Sequence, residues 1–567
     1  MNNLWLKYKY LGLAAVVILA SVLLFVNLGR PDIQHDDATY SFRALGYLDY
    51  MSSQLQTTPV HWFDQAPAWA ELSFHDHPPL TFIIQHSFFK LFGFSVFISR
   101  LPYALAGVGS VLLLFFVVKK MYDDKVAFLA ALIFSVLTIH AWTSRIAYLE
   151  PIALFFILLT VYFFILAREQ EKFWLLFGLF LGLTLLTKYT VLFIVPGFLI
   201  YLLIYHRKTL LNKYFILSLV LAAIIFSPVV YYNFKMYQAR GHFDLQLSVL
   251  FNQDRSDWPG ISRSSAGVDF FGNFFRIFKD LFAITSLPMY FMLVTLTAYG
   301  VFKSFSTRRQ NHANLLFFFF LLFGLILISS TGSVVRFNYL LVPFIVIISA
   351  WAILDVYQNY VKGKVNQKTK TIIFSLIIVA VIIFELFYNL NTNVLAKPIG
   401  EKTRAYSAYR WENGGFNQLE TYLINQGLNF KIVNQVNSLK DLSFNADELG
   451  GKDVFVYDPN LDWFSTLWYF QKWSVYNKEF FISAADLFQI LPNTNWFEFF
   501  KAKDVKTVYY IRGANETVFG PSGGEPVNQQ SASALESIFT SAGAQLDLVR
   551  NANGQLAFKI YQINLQE

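Results

Sequence analysis

The residues of this chain that could do chemistry are carboxylates and cations spaced along an otherwise apolar sequence. They are His35-Asp36-Asp37, His75-Asp76-His77, the pair Arg145 and Glu150, Lys188, and Arg336. A positioned carboxylate can take the proton of a reacting hydroxyl, and Arg or Lys can stabilise a phosphate. Ionisable groups beside apolar, membrane-like segments are costly and indicate function by default. The set therefore predicts a site for a phosphate-bearing lipid headgroup and an acid–base reaction.

Each group also has a simpler structural interpretation. Asp36 and Asp37 could cap the helix that follows them, where a carboxylate meets free N–H groups and the helix dipole. Lys188 could extend to the membrane interface, and Arg145 with Glu150 could be an ordinary ion pair. The functional interpretation therefore depends on the whole set.

The cluster His75-Asp76-His77 leaves a further choice open. Asp76 could bind a divalent metal ion together with His75 or His77, or it could orient a sugar by hydrogen bonds. Three adjacent residues rarely all bind one ion, and the histidines could also be solvated. A divalent metal is the one cofactor that the sequence allows, and nothing in the sequence requires it.

Composition limits the protein class. The chain has 567 residues, of which 55% are hydrophobic and only 14% charged, and it has no cysteine. A soluble enzyme carries about 25% charged residues, and disorder needs low hydrophobicity, so both are excluded. Disulfides and thiolate metal sites are excluded as well. The net charge of +8 does not predict a nucleic-acid partner, because Lys and Arg collect in the cytoplasmic loops of membrane proteins.

The apolar runs predict a polytopic α-helical membrane protein. Since a bilayer takes roughly 20 apolar residues as a helix, we predict about eleven spans. They lie near 10–28, 96–118, 126–142, 150–167, 173–187, 190–205, 212–233, 282–302, 314–330, 338–356 and 371–390. Lys and Arg concentrate in alternate loops, which predicts a cytoplasmic N-terminus in the cell membrane and an outward C-terminal tail. Every ionisable group of the set is then expected on the outer side.

Two parts of the chain are predicted. Residues 1–392 are expected to form the membrane domain, with outer loops at 29–95 and 234–281. Residues 393–567 change composition and are expected to form an extracytoplasmic soluble α/β domain. This tail has strand-like runs and helix-like runs, with Asn553-Gly554 as a hairpin turn. The strand-like runs are 453–457, 506–511 and 555–563, and the helix-like runs are 416–425, 461–472 and 533–541.

The order of the motifs resembles the GT-C glycosyltransferases, most closely the protein O-mannosyltransferase and aminoarabinose transferase branch. The resemblance covers roughly residues 30–345 and lies in the ordered set rather than in any single motif. Two residues depart from the pattern: Asp37 stands where the family usually has Glu, and His77 where aminoarabinose transferases have Lys. The WWDYG-type signature of oligosaccharyltransferases is absent. The matching segments are HDDATYSFRALGYL from 35, DHPPL from 76, LFGFSVFISRLPYALAG from 91, SRIAYLEP from 144, LTKYT from 186 and RFNYLLVP from 336.

The resemblance implies transfer of a sugar from a polyprenyl phosphate to an acceptor hydroxyl outside the membrane, with inversion. The acceptor could be a protein, a lipid or a polysaccharide. Asp36 is the candidate base, and cations would stabilise the departing phosphate. We expect catalytic roles for Asp36, Asp37 and Asp76, phosphate binding by Arg145, Lys188 and Arg336, and supporting roles for His77, Glu150, Arg100 and Tyr339.

Two other functions are weighed. A polyprenyl-lipid transporter or flippase would show ionisable groups near mid-membrane and two related halves, and the sequence shows neither. A non-catalytic scaffold of the cell envelope would not need the acidic and basic motifs. We therefore favour an enzyme.

Overall fold

The computed structural model of the protein describes residues 2–53, 55–260, 269–306, 312–363, 366–397, 413–442, 446–492, 495–519 and 526–566. Up to residue 397, all regular structure in these ranges is helical. Most of these helices consist of long Leu-, Ile- and Phe-rich runs with few helix breakers, so propensity and burial favour the same structure. The helices are α1 Asn2–Phe25, α2 His35–Gly46, α3 Leu80–Phe92, α4 Val96–Met121, α5 Asp124–Val136, α6 Thr138–Ser144, α7 Leu149–Glu169, α8 Trp174–Leu185, α9 Ile194–Tyr205, α10 Lys213–Arg240, α11 Leu245–Leu250, α12 Phe270–Ile284, α13 Leu287–Ser306, α14 His312–Thr331, α15 Val342–Val356 and α16 Gln367–Asn389.

Six helices in the described ranges are long and apolar enough to cross a membrane. A seventh span is possible if α5 and α6, which meet at a bend of 62°, are counted as one. The protein is therefore a multi-pass helical membrane protein, but the predicted count of about eleven is not confirmed. Two of the other predicted spans form apolar helices, Tyr10–Phe25 and Tyr189–Tyr205, which have between 10 and 17 residues. The six spans are Val96–Met121, Leu149–Glu169, Lys213–Arg240, Ala313–Thr331, Val335–Val361 and Gln367–Val394.

The segment between α1 and α4 is held by helix signals that the sequence supplies. Helix α2 has Asp36 and Asp37 in its first turn, where carboxylates complement the helix dipole, and ends at Tyr47 in the left-handed conformation. Helix α3 follows a double proline and ends at Gly93, whose φ of +86° favours glycine. This segment carries three of the predicted site carboxylates.

The C-terminal residues form a five-stranded mixed sheet in the order β2-β1-β3-β5-β4. Strands β2, β1 and β3 are parallel, and β5 runs antiparallel to both β3 and β4. The predicted strand-like runs correspond to β1, β3 and β5, whereas β2 and β4 were not predicted. The strands are β1 Val454–Tyr457, β2 Phe480–Ser483, β3 Thr507–Gly513, β4 Gln545–Arg550 and β5 Leu556–Asn564; the longer helices beside them are α17 Phe416–Asn425, α18 Lys472–Asn477, α19 Ala484–Ile490, α20 Trp496–Ala502 and α21 Pro526–Ser541.

The C-terminal part packs on the segment that carries the site carboxylates. The carboxylate of Asp32 accepts hydrogen bonds from the backbone N–H groups of Gly415, Phe416 and Asn417 at 2.9, 3.2 and 2.9 Å. Asp32 thereby satisfies free donors at the start of α17. The Tyr476 hydroxyl donates to the Phe42 carbonyl at 2.8 Å. The domain boundary at 392 and the outward location of the tail stay predictions.

Candidate active site

Helix α2 presents three site residues at intervals that follow its 3.6-residue turn. Asp36 contacts Arg336, the Tyr40 ring lies 5.5 Å from the ring of His77, and Arg43 forms an ion pair with Asp76. Positions i, i+4 and i+7 share one face of a helix, so α2 places these contacts along one line.

Asp36 begins a chain of alternating charges that ends at Lys188. Arg336 contacts Asp36, and its Nε lies 3.6 Å from Oε1 of Glu150. The Lys188 Nζ donates to the same Oε1 at 2.5 Å. The Glu150 side chain is fully buried, whereas that of Asp36 is 36% exposed. Glu150 is therefore shielded from solvent, whereas solvent or a ligand can reach Asp36 at one end of the chain.

Local structure explains how distant residues supply this chain. Glu150 lies in the first turn of α7, and Lys188 immediately precedes the 3-10 turn Tyr189–Phe193. Arg336 lies in the single turn Val335–Asn338 that leads into α15. Phe337 of that turn lies under Lys188, with Nζ 4.3 Å from its ring centroid. Helix ends and short turns, rather than span interiors, thus carry the charges.

Asp37 is held by Arg100. Its Oδ2 accepts from Nε and Nη2 of Arg100 at 2.9 and 2.6 Å, and its Oδ1 accepts from the backbone N–H of Ala147 at 3.2 Å. Arg100 also donates to the carbonyls of Leu28, Pro31 and Asp32. Asp37 is buried, and three donors occupy its two oxygens, which is a positioning arrangement.

Asp76 is held by Arg43 in the same manner. The Arg43 guanidinium donates to Oδ1 and Oδ2 of Asp76 at 2.8 and 3.2 Å, and to Oδ1 of Asp49 at 2.7 Å. Burial alone would raise the pKa of Asp76, but Arg43 and the adjacent His77 outweigh burial and hold that pKa well below its usual range. Asp76 is therefore a fixed anion, tied to α2 through Arg43.

The predicted metal ligands face different partners. His75 Nδ1 lies 2.7 Å from Asp49 and its Nε2 lies 2.7 Å from the Gln56 amide nitrogen, whereas His77 Nδ1 lies 3.0 Å from Asp76. Within the ranges that the structure describes, no group of three His, Cys, Asp or Glu side chains could hold a metal ion. Arg43 and His77 contact the carboxylate of Asp76, and the metal stays a prediction.

The structure places two predicted residues with other partners. Arg145 donates to the Leu23 carbonyl at 2.7 Å and lines a small crevice with Asp37 and Arg100. The Tyr339 hydroxyl lies 2.9 Å from Nδ1 of His140. Lys188 and Arg336 meet at Glu150, and the phosphate-binding role of all three cations stays a prediction.

The sequence prediction missed four residues that the structure brings into the site. Tyr40 and Arg43 lie in the helical period that begins at Asp36, and this spacing could have revealed them. No local signal marks Asp49 or Gln56, because both lie outside regular helices and contact His75 through the folding of the segment.

Comparison with known proteins agrees with the motif order. A family model described as dolichyl-phosphate-mannose-protein mannosyltransferase matches residues 76–232. Two Bacillus subtilis proteins are similar: "Putative mannosyltransferase YkcB", 29% identical over 217 residues, and "Putative mannosyltransferase YycA", 36% identical over 154 residues. These matches cover 38% and 26% of this chain. They span only 29% and 22% of the relatives' own lengths.

Solved structures share the fold over nearly the whole chain. ArnT from Cupriavidus metallidurans, in crystals with undecaprenyl phosphate and in the apo state, has TM-scores of 0.53 and 0.55. Sequence identity is 10% in both cases, and each alignment covers 98% of both chains. The family-model match, the two relatives and the shared fold together bear out the resemblance drawn from the motifs. The chain shares its fold with ArnT, and residues 76–232 are similar to mannosyltransferases.

Proposed function

We propose that this protein is an inverting glycosyltransferase that moves a sugar from a polyprenyl phosphate to an acceptor hydroxyl on the outer face of the membrane. The observation that supports this proposal most directly is the charge chain from Asp36 to Lys188. Lys188 and Arg336 meet the buried carboxylate of Glu150. Asp36, which is 36% exposed, contacts Arg336 at the accessible end of the chain. The crystallised ArnT of similar fold holds undecaprenyl phosphate, a lipid phosphate of the kind that a polyprenyl-phosphate sugar donor leaves behind after transfer.

The donor phosphate takes the place of Asp36 on Arg336. Arg336 offers a forked pair of donors to phosphate oxygens, and Lys188 adds a point charge. Glu150 holds Lys188 at 2.5 Å and lies 3.6 Å from Arg336, so both cations are near their positions before charge develops on the leaving phosphate. Each donor fixed in this way contributes about 3–4 kcal/mol to stabilising the transition state.

Displacement from Arg336 frees Asp36 to act as the base. The acceptor oxygen forms a bond to the anomeric carbon while the bond from that carbon to the phosphate oxygen breaks. Its proton passes to Asp36, and the electron pair of the broken bond leaves with the phosphate. Asp37 and Asp76 cannot take this role readily, because Arg100 and Arg43 occupy their oxygens; they position α2 and the segment before α3.

Radiolabelled polyprenyl-phosphate mannose and the purified chain in proteoliposomes provide the test. We expect label to move from the lipid to an acceptor in added cell-envelope material, and Asp36→Asn to slow transfer about 10²–10⁴-fold, the usual contribution of a general base. The matched control is Asp64→Asn, which changes an exposed aspartate of the same segment and should transfer at the wild-type rate.

The outcomes separate the alternatives. Equal transfer by Asp36→Asn and wild type would refute the base assignment. Label that crosses the bilayer while still attached to the lipid, with no transfer, would favour a flippase. If the label neither moves nor transfers, the enzyme proposal fails.

A further inference from the structure

A cavity of about 730 Å³ lies between the α2–α3 segment and the C-terminal part. One wall comes from residues 45–94, including the end of α3, and the other from residues 430–437 and Tyr476. Binding sites for small ligands fall in the range of about 300–1,000 Å³. The cavity therefore has the size of a ligand site, and it is distinct from the Asp36–Lys188 chain, none of whose residues line it.

Charged residues are few in this cavity. Glu71, Lys90 and Lys431 line it, together with Asp49, whose carboxylate is already paired with Arg43. A site built for a phosphate or a polyanion would show a cluster of cations. This lining instead favours a ligand without net charge that offers many hydroxyl groups to both signs.

The uncharged lining also suits such a ligand. Aromatic rings provide apolar faces, and amide side chains provide paired donors and acceptors. A saccharide presents both kinds of surface, because its C–H faces are apolar and its rim carries hydroxyls. The aromatic residues are Tyr47, Phe74, Phe94, Phe430 and Tyr476, and the amide residues are Asn434, Gln435 and Asn437.

Two residues connect this cavity to the ion pair of Arg43 and Asp76. Asp49 lines the cavity, and its carboxylate accepts from Arg43 at 2.7 Å, while Arg43 holds Asp76 at 2.8 Å. Phe74 lines the cavity as well and lies beneath the same guanidinium, 4.6 Å from ring centroid to Cζ. Arg43, which fixes Asp76 to α2, therefore lies directly behind the wall of this cavity.

We infer that this cavity binds a neutral saccharide, and that the acceptor of the reaction is a glycan whose chain is held here beyond the reacting hydroxyl. The role of the glycan as acceptor rests on the proposed function, whereas saccharide binding in the cavity does not. A hydroxyl-rich peptide is the competing ligand class, and the test below separates the two.

The test measures binding to the full chain in detergent, with no donor present. The probes are mannotetraose, cellotetraose, chitotetraose and a Ser/Thr-rich decapeptide. Binding of each is measured by isothermal titration calorimetry. Ala66→Trp fills the cavity from its rim, and Gln435→Ala removes one exposed lining amide without adding bulk. The matched control is Ala68→Trp, an exposed residue two positions away that does not line the cavity.

At least one tetrasaccharide should bind to wild type and to Ala68→Trp. Its Kd should rise about tenfold or more in Ala66→Trp, and severalfold in Gln435→Ala. Binding of the peptide alone, binding of no tetrasaccharide, or equal binding by Ala66→Trp and Ala68→Trp would overturn the inference. These failures leave the transfer assay unaffected, so they are distinguishable from failure of the proposed enzyme activity.

Discussion

Glu150 is the residue on which the charge chain depends, and Glu150→Gln tests it. The Glu150 carboxylate is fully buried and balances Lys188 at 2.5 Å and Arg336 at 3.6 Å. The change keeps the shape of the side chain but leaves two neighbouring cations without their shared anion. Removing one partner of a buried ion pair costs about 3–5 kcal/mol. We expect the free energy of unfolding to fall by that amount, and transfer activity to fall with it.

An exposed pair of the same residue types provides the control. Lys120 and Glu169 lie 2.8 Å apart, with side chains 39% and 50% exposed. Solvent screening limits such a pair to about 0.2–1 kcal/mol, so Glu169→Gln should cost far less than Glu150→Gln. The measurement is equilibrium unfolding of the detergent-solubilised protein, followed by tryptophan fluorescence, with all variants at one pH and ionic strength.

The double variant makes the test quantitative. Lys188→Met removes one cation but leaves Glu150 paired with Arg336, so it should cost less than Glu150→Gln. Combining both changes should cost less than their sum, by a coupling energy of about 0.5–3 kcal/mol. The charges of the chain do not act cooperatively if Glu150→Gln lowers the free energy of unfolding no more than Glu169→Gln does. The same conclusion follows if the effects of Glu150→Gln and Lys188→Met are additive.

Three further predictions follow from the structure. Asp32→Ala removes the acceptor for three N–H groups at the start of α17; we expect a loss of about 0.5–2 kcal/mol and faster hydrogen exchange at Gly415, measured by mass spectrometry. Burial raises the pKa of Asp244 to about 6, so the native state keeps a proton that the unfolded chain releases. The free energy of unfolding should therefore fall as pH rises from about 4 to 6, and a titration of Asp244→Asn should lack this component. Gly178→Ala would place Cβ in steric conflict with the Ser218 carbonyl oxygen, where α8 meets α10; thermal unfolding should show about 1–3 kcal/mol of destabilisation.

Strong local signals explain what the sequence could predict of the fold. Helix α3 can be located in the sequence because a double proline precedes it and a glycine follows it. Strand β4 was missed because it lies at the sheet edge with mostly exposed residues, so it lacks the apolar alternation of a half-buried strand. The number of spans is not confirmed, because hydropathy alone does not show where a helix ends. Turns such as Tyr189–Phe193 interrupt apolar sequence that reads as continuous.

The contacts of the candidate site were harder to predict from the sequence than the helices and strands. Residue types and their order indicated that carboxylates and cations converge, and the structure brings Asp36, Glu150, Lys188 and Arg336 together. Which carboxylate meets which cation was not predictable, since Asp36 and Arg336 are 300 residues apart. Arg145 illustrates this, because nothing in its local sequence indicates the crevice that it lines with Asp37 and Arg100.

Electrostatics explains why so apolar a protein tolerates these groups. Two carboxylates and two cations, in the chain from Asp36 to Lys188, sum to zero charge, and each buried member has an opposite neighbour that offsets its desolvation. Arg100 balances Asp37, whereas Arg43 lies between two carboxylates, Asp76 and Asp49, which also contact His77 and His75. Removing one charge leaves its partner buried and unpaired, which costs free energy. A ligand avoids this cost only when it replaces a group of the same charge. The exposed end at Asp36 is where one anion can replace another, which is why a phosphate-bearing donor fits this chain of charges and a neutral ligand does not.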